Sequence, residues 1–300
     1  MEEESLEQKI RIGTSGWSYP TGPGRWTGIF YPPKVKEELS YYSQIFDAVE
    51  VNSTFYRPVH PKVAESWARK TPEGFEFTVK LWQKFTHPAM HREATGREEP
   101  ITKDDVLLVK RPLDVLAESE KLGCLLIQFP PSFKREEGSL EWMEEMLDIF
   151  KNYPLAVELR HRSWSDDPGT KVLLESHGVA WVQIDEPKFH FSIRQDYEPR
   201  GELYYLRLHG RNVQSWWKRD ARDERYDYLY SMEELEPFAE KLKEIAPRVN
   251  KAYVFFNNHP RGKAPANAMM LKHRLGMEIR GTYPRDLVEE FPGLKEFIIK

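Results

Sequence analysis

Eight short apolar runs, each bounded by polar or turn residues, constrain most strongly what this chain can fold into. They lie at residues 10–17, 48–55, 75–82, 122–130, 155–162, 179–187, 203–210 and 251–260. Most of the gaps between them hold segments with helical periodicity, such as residues 140–153 and 232–246. Because parallel strands need long crossovers, which are usually helices, this pattern predicts a parallel sheet.

Eight β-then-α units in 300 residues favour an α/β fold of the single (β/α)8 TIM-barrel type. The alternative is a doubly wound open sheet, but the first run lacks the glycine-rich turn usual in that fold. No repeat, low-complexity tract or Ser/Gly linker divides the chain. We therefore predict one domain over residues 1–300, with the barrel at about 10–277 and a C-terminal extension at 278–300.

Composition excludes several classes of protein. The formal net charge is −4, which argues against a basic coat for nucleic acid but leaves room for a local basic site. A single cysteine, Cys124, excludes a disulfide framework and any paired-cysteine zinc or redox motif. No apolar run reaches membrane-spanning length, so we expect a cytoplasmic protein without a membrane partner. The 31% of charged residues is typical of a heat-adapted source.

Polar and ionisable side chains crowd one end of the predicted strands. Because side chains alternate along a strand, each run divides into a helix-facing set and a lumen-facing set. The lumen-facing or strand-end set comprises Glu50, Asn52, Lys80, Glu158, Arg160, His161, Asp185, Arg207, His209, Asn257 and Asn258. Polar groups at the carboxyl ends of barrel strands indicate an active site, whereas Glu76 and Gln183 lie deeper and are expected to be architectural. The alternative is a lattice of structural ion pairs.

Two connections are unusual, and both follow strands at this same end. Residues 188–202 lack a clear helix, and residues 211–231 are long, basic and aromatic. Long loops of compact domains are commonly functional, so we expect long loops at the C-terminal face. Basic and aromatic residues that suit phosphate contact and base stacking are Arg25, Trp26, Tyr56, Trp216, Trp217 and Arg219. The alternative is that these tryptophans pack the loop onto the rim.

Several segments resemble the YecE-like family, a group defined as a domain of unknown function. The matching segments, in chain order, are IGTSGWSYP, WTGIFYPP, VEVNSTFYRPV, FTVKLWQKFTH, QFPPSF, AVELRHRSW, YYLRLHGR and VFFNNHPRGKAPANA. They span about residues 10–275. The resemblance implies a TIM barrel with a polar pocket at its C-terminal face. It implies no reaction, since fold alone does not supply function.

The candidate catalytic residues are Lys80, Glu158, Asp185, Glu50 and His209. A lysine on the inner face of an apolar strand is either paired with a carboxylate such as Glu50 or Glu158, or kept as an amine for Schiff-base chemistry. Glu158 and Asp185 on neighbouring strands are candidates for a general acid and a general base. Metal binding by His161 and His209 is disfavoured, because they show no ligand spacing and the mouth is rich in cations.

These residues predict an enzyme without metal or cofactor that acts on a nucleotide or sugar-phosphate unit. The favoured hypothesis is a base glycosylase or β-elimination lyase on damaged DNA or RNA. Tryptophans 26, 216 and 217 would stack on a flipped nucleotide; Arg160, Arg207 and Arg219 would hold phosphates. The side chains of Asn52, Asn257 and Asn258 would read the base edge. The alternatives are an isomerase or aldolase of a free sugar phosphate, and a non-catalytic binding barrel; the oligomeric state stays open.

Overall fold

Each of the eight apolar runs contains a strand. The structure is a computed structural model that describes residues 6–22, 24–216 and 224–298. Its strands are β1 (Ile10–Thr14), β2 (Ala48–Val51), β3 (Glu76–Lys80), β4 (Leu122–Gln128), β5 (Leu155–Glu158), β6 (Ala180–Trp181), β7 (Gln183–Asp185), β8 (Leu203–Leu208) and β9 (Lys251–Phe256). The sixth run holds both β6 and β7, which are separated by one residue.

All strand pairings are parallel, and they form two sheets with the orders β1-β9-β8-β7 and β2-β3-β4-β5-β6. The Gly16 N–H donates to the Glu50 carbonyl at 2.8 Å, just beyond the end of β1. On the other side the Val182 N–H donates to the Val157 carbonyl at 2.9 Å, and the chain then continues into β7. The parallel α/β fold is confirmed, but the ladder is divided into two sheets where the sequence predicts one closed barrel.

Helices fill most of the gaps between strands. They are α1 (Leu6–Lys9), α2 (Glu38–Tyr42), α3 (Pro61–Lys70), α4 (Gln83–Thr86), α5 (Pro88–Thr95), α6 (Lys103–Glu118), α7 (Glu137–Phe150), α8 (Arg162–Ser165), α9 (Pro168–Ser176), α10 (Met232–Ile245), α11 (Lys263–Arg274), α12 (Arg285–Glu290) and α13 (Lys295–Ile298). The N-terminus of α10 is fixed by a capping box, in which Ser231 and Glu234 satisfy each other's backbone N–H groups. Both predicted helices are present, and α7 begins three residues earlier than its apolar pattern.

One hydrophobic core joins the two sheets to the helices that cover them. It includes Val49 and Phe77 from the helix-facing sides of β2 and β3. It also includes Leu287 and Leu294, so the C-terminal segment packs against the same core. Several side chains on the opposite side of the strands are polar, and those near the carboxyl ends, such as Glu50, Lys80 and Glu158, form the candidate site.

The close approach of β1 and β2 leads to a first prediction. A Cβ atom on Gly13 would lie 2.0 Å from the Ala48 carbonyl oxygen, which is far inside van der Waals contact. We expect Gly13→Ala to destabilise the fold by about 1–3 kcal/mol, the usual range for overpacking. Gly138 in α7 has open space around it, so Gly138→Ala is the matched control and is expected to be neutral or stabilising. Chemical denaturation measures both; equal stability of the two variants would contradict the prediction.

Candidate functional site

The carboxyl ends of the parallel strands bring the predicted polar residues to one end of the molecule. Lys80, Glu158 and Asp185 are the last residues of β3, β5 and β7. Glu50 and Arg207 are each one residue from the end of their strands. Two separate clusters result, one around Arg207 and one around Asp185.

Arg207 is the centre of the larger cluster and is 1% exposed. One terminal nitrogen donates to Glu50 Oε1 at 2.7 Å, and the other donates to Glu158 Oε2 and, at 3.3 Å, to Gln128 Oε1. Ser15 Oγ also donates to Glu50, at 2.7 Å. Unpaired buried charges are costly, and these charge-assisted bonds supply the two buried carboxyl groups with partners. Glu50 is therefore part of a structural ion pair with Arg207, as the alternative interpretation of the sequence expects.

Arg160 joins this cluster from the loop after β5. Its Nε donates to Glu158 Oε1 at 2.6 Å, and NH1 donates to Glu186 Oε2 at 2.7 Å. Burial opposes ionisation of Glu158, but the charges of Arg160 and Arg207 outweigh it and lower its pKa to about 2. Glu158 is therefore a carboxylate at neutral pH and has no proton to donate. Of the three arginines expected to hold phosphates, Arg160 and Arg207 are already bound to carboxylates.

His209 is buried and neutral in the same cluster. Burial and the charges of Arg207 and Arg160 place its pKa well below the ordinary value. Arg160 NH2 lies 3.1 Å from Nε2, and a guanidinium only donates, so Nε2 accepts. In a neutral ring the hydrogen then lies on Nδ1, which is 2.9 Å from Nδ2 of the Asn257 side-chain amide, and two N–H donors cannot bond to each other. The arrangement requires that amide to offer its oxygen, which ties Asn257 to the imidazole.

Lys80 differs from its charged neighbours because its amine is not paired. Within the described residues, Nζ makes no hydrogen bond or ion pair, and it lies 4.1 Å from the centre of the Phe55 ring. Burial and the charge of Arg207 lower its pKa to about 7, against the opposing effects of Glu158 and Glu50. The alternative that Lys80 pairs with Glu50 or Glu158 is wrong for this structure, since arginines occupy both carboxylates.

Asp185 belongs to the second cluster. Arg211 donates to both of its oxygens, at 2.8 and 3.0 Å, and the Tyr230 hydroxyl donates at 2.7 Å. The expectation that Glu158 and Asp185 act as an acid and a base pair is not supported by this geometry. Each carboxylate is saturated by its own cations, and neither is directed at the other.

Two residues predicted to contact a ligand are instead part of the packing. Trp26 is fully buried, and its indole N–H donates to the His259 carbonyl at 2.7 Å. Asn258 is also fully buried, and its amide donates to the Tyr228 carbonyl at 2.7 Å and to Asn267 Oδ1 at 2.8 Å. The predictions that Trp26 stacks on a base and that Asn258 reads a base edge are wrong, because neither side chain reaches solvent.

The other predicted contacts are distributed around the mouth. Tyr56 is 68% exposed and Arg25 is exposed, whereas Trp216 is only 9% exposed and packs beside Tyr226. Asn52 keeps a buried Oδ1 without a partner among the described residues. His161 Nδ1 lies 2.9 Å from Ser163 Oγ at the start of α8, and its ring stacks on Phe191. Residues 217 and 219, the predicted Trp217 and Arg219 contacts, lie outside the described residues.

Two residues that the sequence reasoning missed belong to the site. Glu186 is buried against Arg160, and burial raises its pKa. His87, before α5, contacts the Phe55 ring at 5.0 Å between centroids, and burial and the charge of Lys80 lower its pKa to about 3. Glu186 directly follows Asp185, the last residue of β7, so its position at a strand end could have identified it as a site residue. The position of His87 has no comparable sequence signal.

Two absences concern only the part of the chain that the structure describes. There, no group of three or more His, Cys, Asp or Glu side chains is arranged to hold a metal ion. Over the same residues, no helix is both long and apolar enough to cross a membrane.

Comparison with known proteins matches the resemblance seen in the sequence. A family model described as "Protein of unknown function DUF72" covers residues 11–290. The chain belongs to the DUF72 family. The UPF0759 protein YunF of Bacillus subtilis is 32% identical over 290 residues, covering 93% of this chain and 99% of that protein. The UPF0759 protein YecE of Escherichia coli is 25% identical over 186 residues, covering 60% of this chain and 61% of that protein. The YecE-like assignment is confirmed.

Solved structures of DUF72 proteins share the fold. One from Thermotoga maritima is 37% identical, has a TM-score of 0.77 and covers 89% of this chain and 99% of its own. One from Enterococcus faecalis has a TM-score of 0.78 at 22% identity and covers 92% of this chain and 99% of its own. These similarities establish the family and fold of this DUF72 protein and leave its reaction to be argued from the site.

Proposed function

We propose that this DUF72 protein is an enzyme that uses the Lys80 amine to form a Schiff base with an aldehyde of a sugar-phosphate unit. The reaction that we propose is β-elimination at abasic sites in nucleic acid. The observation that carries this proposal is the unpaired Lys80 amine, whose pKa is lowered to about 7. A neutral amine is the nucleophile in Schiff-base chemistry, and this pKa leaves a large fraction of it neutral at pH 7.

The proposed reaction balances as follows. The Lys80 amine adds to the C1′ aldehyde of the opened deoxyribose, and water leaves as the iminium forms. The iminium acidifies the C2′ hydrogen. Water takes that proton, the C2′–H electron pair becomes the C2′–C3′ double bond, and the C3′–O bond breaks to release the 3′ phosphate, which leaves an unsaturated iminium. Hydrolysis of the iminium releases the unsaturated aldehyde and restores the Lys80 amine.

A lyase fits the site better than a base glycosylase. A glycosylase of the acid-assisted type needs a protonated carboxyl beside the leaving group. Glu158 has a pKa of about 2, so it has no proton to give at neutral pH, and both oxygens of Asp185 are occupied by Arg211. Schiff-base formation instead needs an amine that is not held by a carboxylate, which describes Lys80.

An exposed aromatic ring beside Lys80 favours nucleic acid as the substrate. Tyr56 is 68% exposed, and its ring contacts that of Phe55, over which the Lys80 amine lies. An exposed ring at the mouth of a site can stack on an unpaired base. The candidate stacking residue is therefore Tyr56 rather than Trp26.

A second candidate is an aldolase or isomerase of a free sugar phosphate. It is favoured by the unpaired Lys80 amine at the end of β3, which can react with the carbonyl group of a small substrate without any contact outside the mouth. Both candidates use the same Lys80 chemistry. They differ in whether residues outside the mouth, such as Tyr56, contribute to binding.

The proposed site also suggests that the two sheets act as one closed barrel. The Ser15–Glu50 bridge links β1 to β2, and the β6–β7 interruption is one residue long. Arg207 of one sheet binds Glu50 and Glu158 of the other, so ion pairs cross the lumen. A continuous barrel would hold the Lys80 site rigidly at its carboxyl-terminal mouth.

Reductive trapping tests the proposal. The protein is incubated with sodium borohydride and either an oligonucleotide with one abasic site or glyceraldehyde 3-phosphate, and covalent adducts are read by mass spectrometry. We expect an adduct on Lys80 with the oligonucleotide. Replacement of Tyr56 by Ala should weaken oligonucleotide binding by about 1–3 kcal/mol, whereas Tyr56→Phe keeps the ring and the affinity.

The outcomes separate the candidates. An adduct only with the small aldehyde, and no effect of Tyr56→Ala, would favour the aldolase or isomerase. Absence of an adduct with both substrates would contradict Schiff-base catalysis at Lys80 and would favour a non-catalytic binding protein.

A further inference from the structure

A second concave surface lies beside the candidate site, on the connection that follows β7. It is a cavity of about 390 Å³ between the start of α8 and residues 188–197. Basic side chains from Arg162, Lys188, His190 and Arg194 line it. Among the described residues that line it, none carries a carboxylate. The described part of its walls therefore presents cations and no competing anion.

The acid next to this cavity neutralises only part of its positive charge. Asp166 accepts from Arg162 Nε at 2.8 Å and lies 3.2 Å from Arg194 Nε. One carboxylate thus serves two guanidinium groups. The Lys188 ammonium donates to the Ile184 carbonyl at 3.2 Å, and that carbonyl carries no formal charge. Asp166, and Glu186 and Asp185 near Lys188, are not among the residues that line the cavity, so the described lining itself is basic, as a site for an anion requires.

A buried donor without a partner lies in the same wall. Gln195 Oε1 accepts from the Ile184 N–H at 3.2 Å, which fixes the side chain against β7. Its Nε2 is buried and has no partner among the described residues. A buried amide donor normally finds an acceptor, because leaving it unsatisfied costs free energy. An anion in the cavity would supply acceptor oxygens for such donors.

The backbone of the connection is held in place, so the cavity is built before any ligand arrives. The Arg162 N–H donates to the Phe191 carbonyl at 2.8 Å, and the Ile193 N–H donates to the Arg160 carbonyl at 2.9 Å. The Arg194 N–H donates to Ser165 Oγ at 3.0 Å. Preorganised donors lose little conformational entropy on binding, which favours affinity.

We propose that this cavity binds a phosphate group. Guanidinium groups match the tetrahedral oxygens of phosphate through paired N–H donors, and an ammonium adds a point charge. The phosphate belongs either to a small phosphate ester or to a nucleic-acid backbone; only the second source rests on the proposed function. The site is separate from Lys80 and extends the binding surface past Arg160 to the 188–197 connection.

Calorimetric titration with inorganic phosphate at constant ionic strength tests the site. We expect saturable binding of one phosphate to the wild type, and binding weakened by about tenfold or more in the double variant Lys188→Met/Arg194→Gln. The matched control is Lys62→Met/Arg69→Gln, which removes two exposed charges from α3 and should change the affinity by less than about twofold. Thermal melting establishes that each variant is folded. If the double variant does not fold, Arg194→Gln alone is used, because that side chain is 68% exposed.

Competition identifies the source of the phosphate. Displacement by ribose 5-phosphate but not by a short single-stranded oligonucleotide assigns a small ester; displacement by the oligonucleotide assigns a backbone phosphate. Lys80→Met should keep phosphate binding, so failure of the proposed function and failure of this site are distinguishable. Absence of saturable binding, or equal weakening in the control and test variants, would overturn the site.

Discussion

Lys80→Met is expected to abolish borohydride trapping and to reduce turnover of an abasic oligonucleotide by several orders of magnitude. The reason is that no other group can replace the nucleophile of a covalent intermediate. The control is Lys62→Met, which removes an exposed lysine from α3 and should leave trapping unchanged. Trapping of the Lys80→Met variant at the wild-type rate would show that the reacting amine belongs to another residue.

The pH profile gives an independent signature of the same amine. With a pKa of about 7, Lys80 gains its neutral form as the pH rises through 7, and the trapping rate should level off above about pH 8. An ordinary lysine, with a pKa of 10.5, would still be gaining neutral amine at pH 9. Initial rates of trapping at fixed aldehyde concentration measure this difference. A rate that keeps rising tenfold per pH unit up to pH 9 would contradict the lowered pKa.

The lowered pKa of Lys80 also predicts how Lys80→Met changes the free energy of unfolding. Between about pH 7 and 10.5 the unfolded chain keeps a proton on Lys80 that the folded chain releases. Because the unfolded state binds more protons, the contribution of Lys80 to stability rises with pH in this window and is unfavourable below it. Removal of the ammonium should therefore leave stability at pH 7 unchanged or raised. Loss of trapping in Lys80→Met would then reflect chemistry rather than unfolding.

The parts of the site that depend on local periodicity were predictable from the sequence. Alternation along a strand places Glu50, Lys80 and Glu158 on the inner side of their strands, and the parallel topology places them at the same end. The same reasoning correctly placed Arg207. These positions depend only on strand direction and on the two-residue period, and both can be read from the apolar runs.

The pairing of these residues depends on distances that no local pattern contains. Arg207 reaches carboxylates on two strands of the other sheet, so Lys80 is left without one. The burial of Trp26 depends on His259, 233 residues away, whose carbonyl accepts its N–H. An aromatic residue in a loop has the same sequence signature whether it packs inward or faces a ligand, and the tertiary contact decides between them.

Arg207→Met is expected to have the largest effect on stability. It would leave the carboxylates of Glu50 and Glu158 buried, both 0% exposed, without the guanidinium that joins them. Breaking a buried ion pair by removing one partner costs about 3–5 kcal/mol, because the remaining charge is desolvated and uncompensated. Denaturant titration monitored by tryptophan fluorescence measures this loss.

Two further variants separate the lost charge from the lost packing. Arg11→Met removes a guanidinium at the other end of the strands, where its Nε is 3.4 Å from Glu76 and the side chain is 18% exposed. That partly hydrated pair should contribute about 1 kcal/mol or less. Arg207→Met leaves Glu158 paired with Arg160 but Glu50 with only hydroxyl donors among the described residues, so adding Glu50→Gln removes the stranded charge, and this double variant should be more stable than Arg207→Met alone. If instead the free-energy loss of the double variant equals the sum of the losses of the two single variants, the two side chains are not coupled. The cost of Arg207→Met would then come from lost packing rather than from an uncompensated carboxylate.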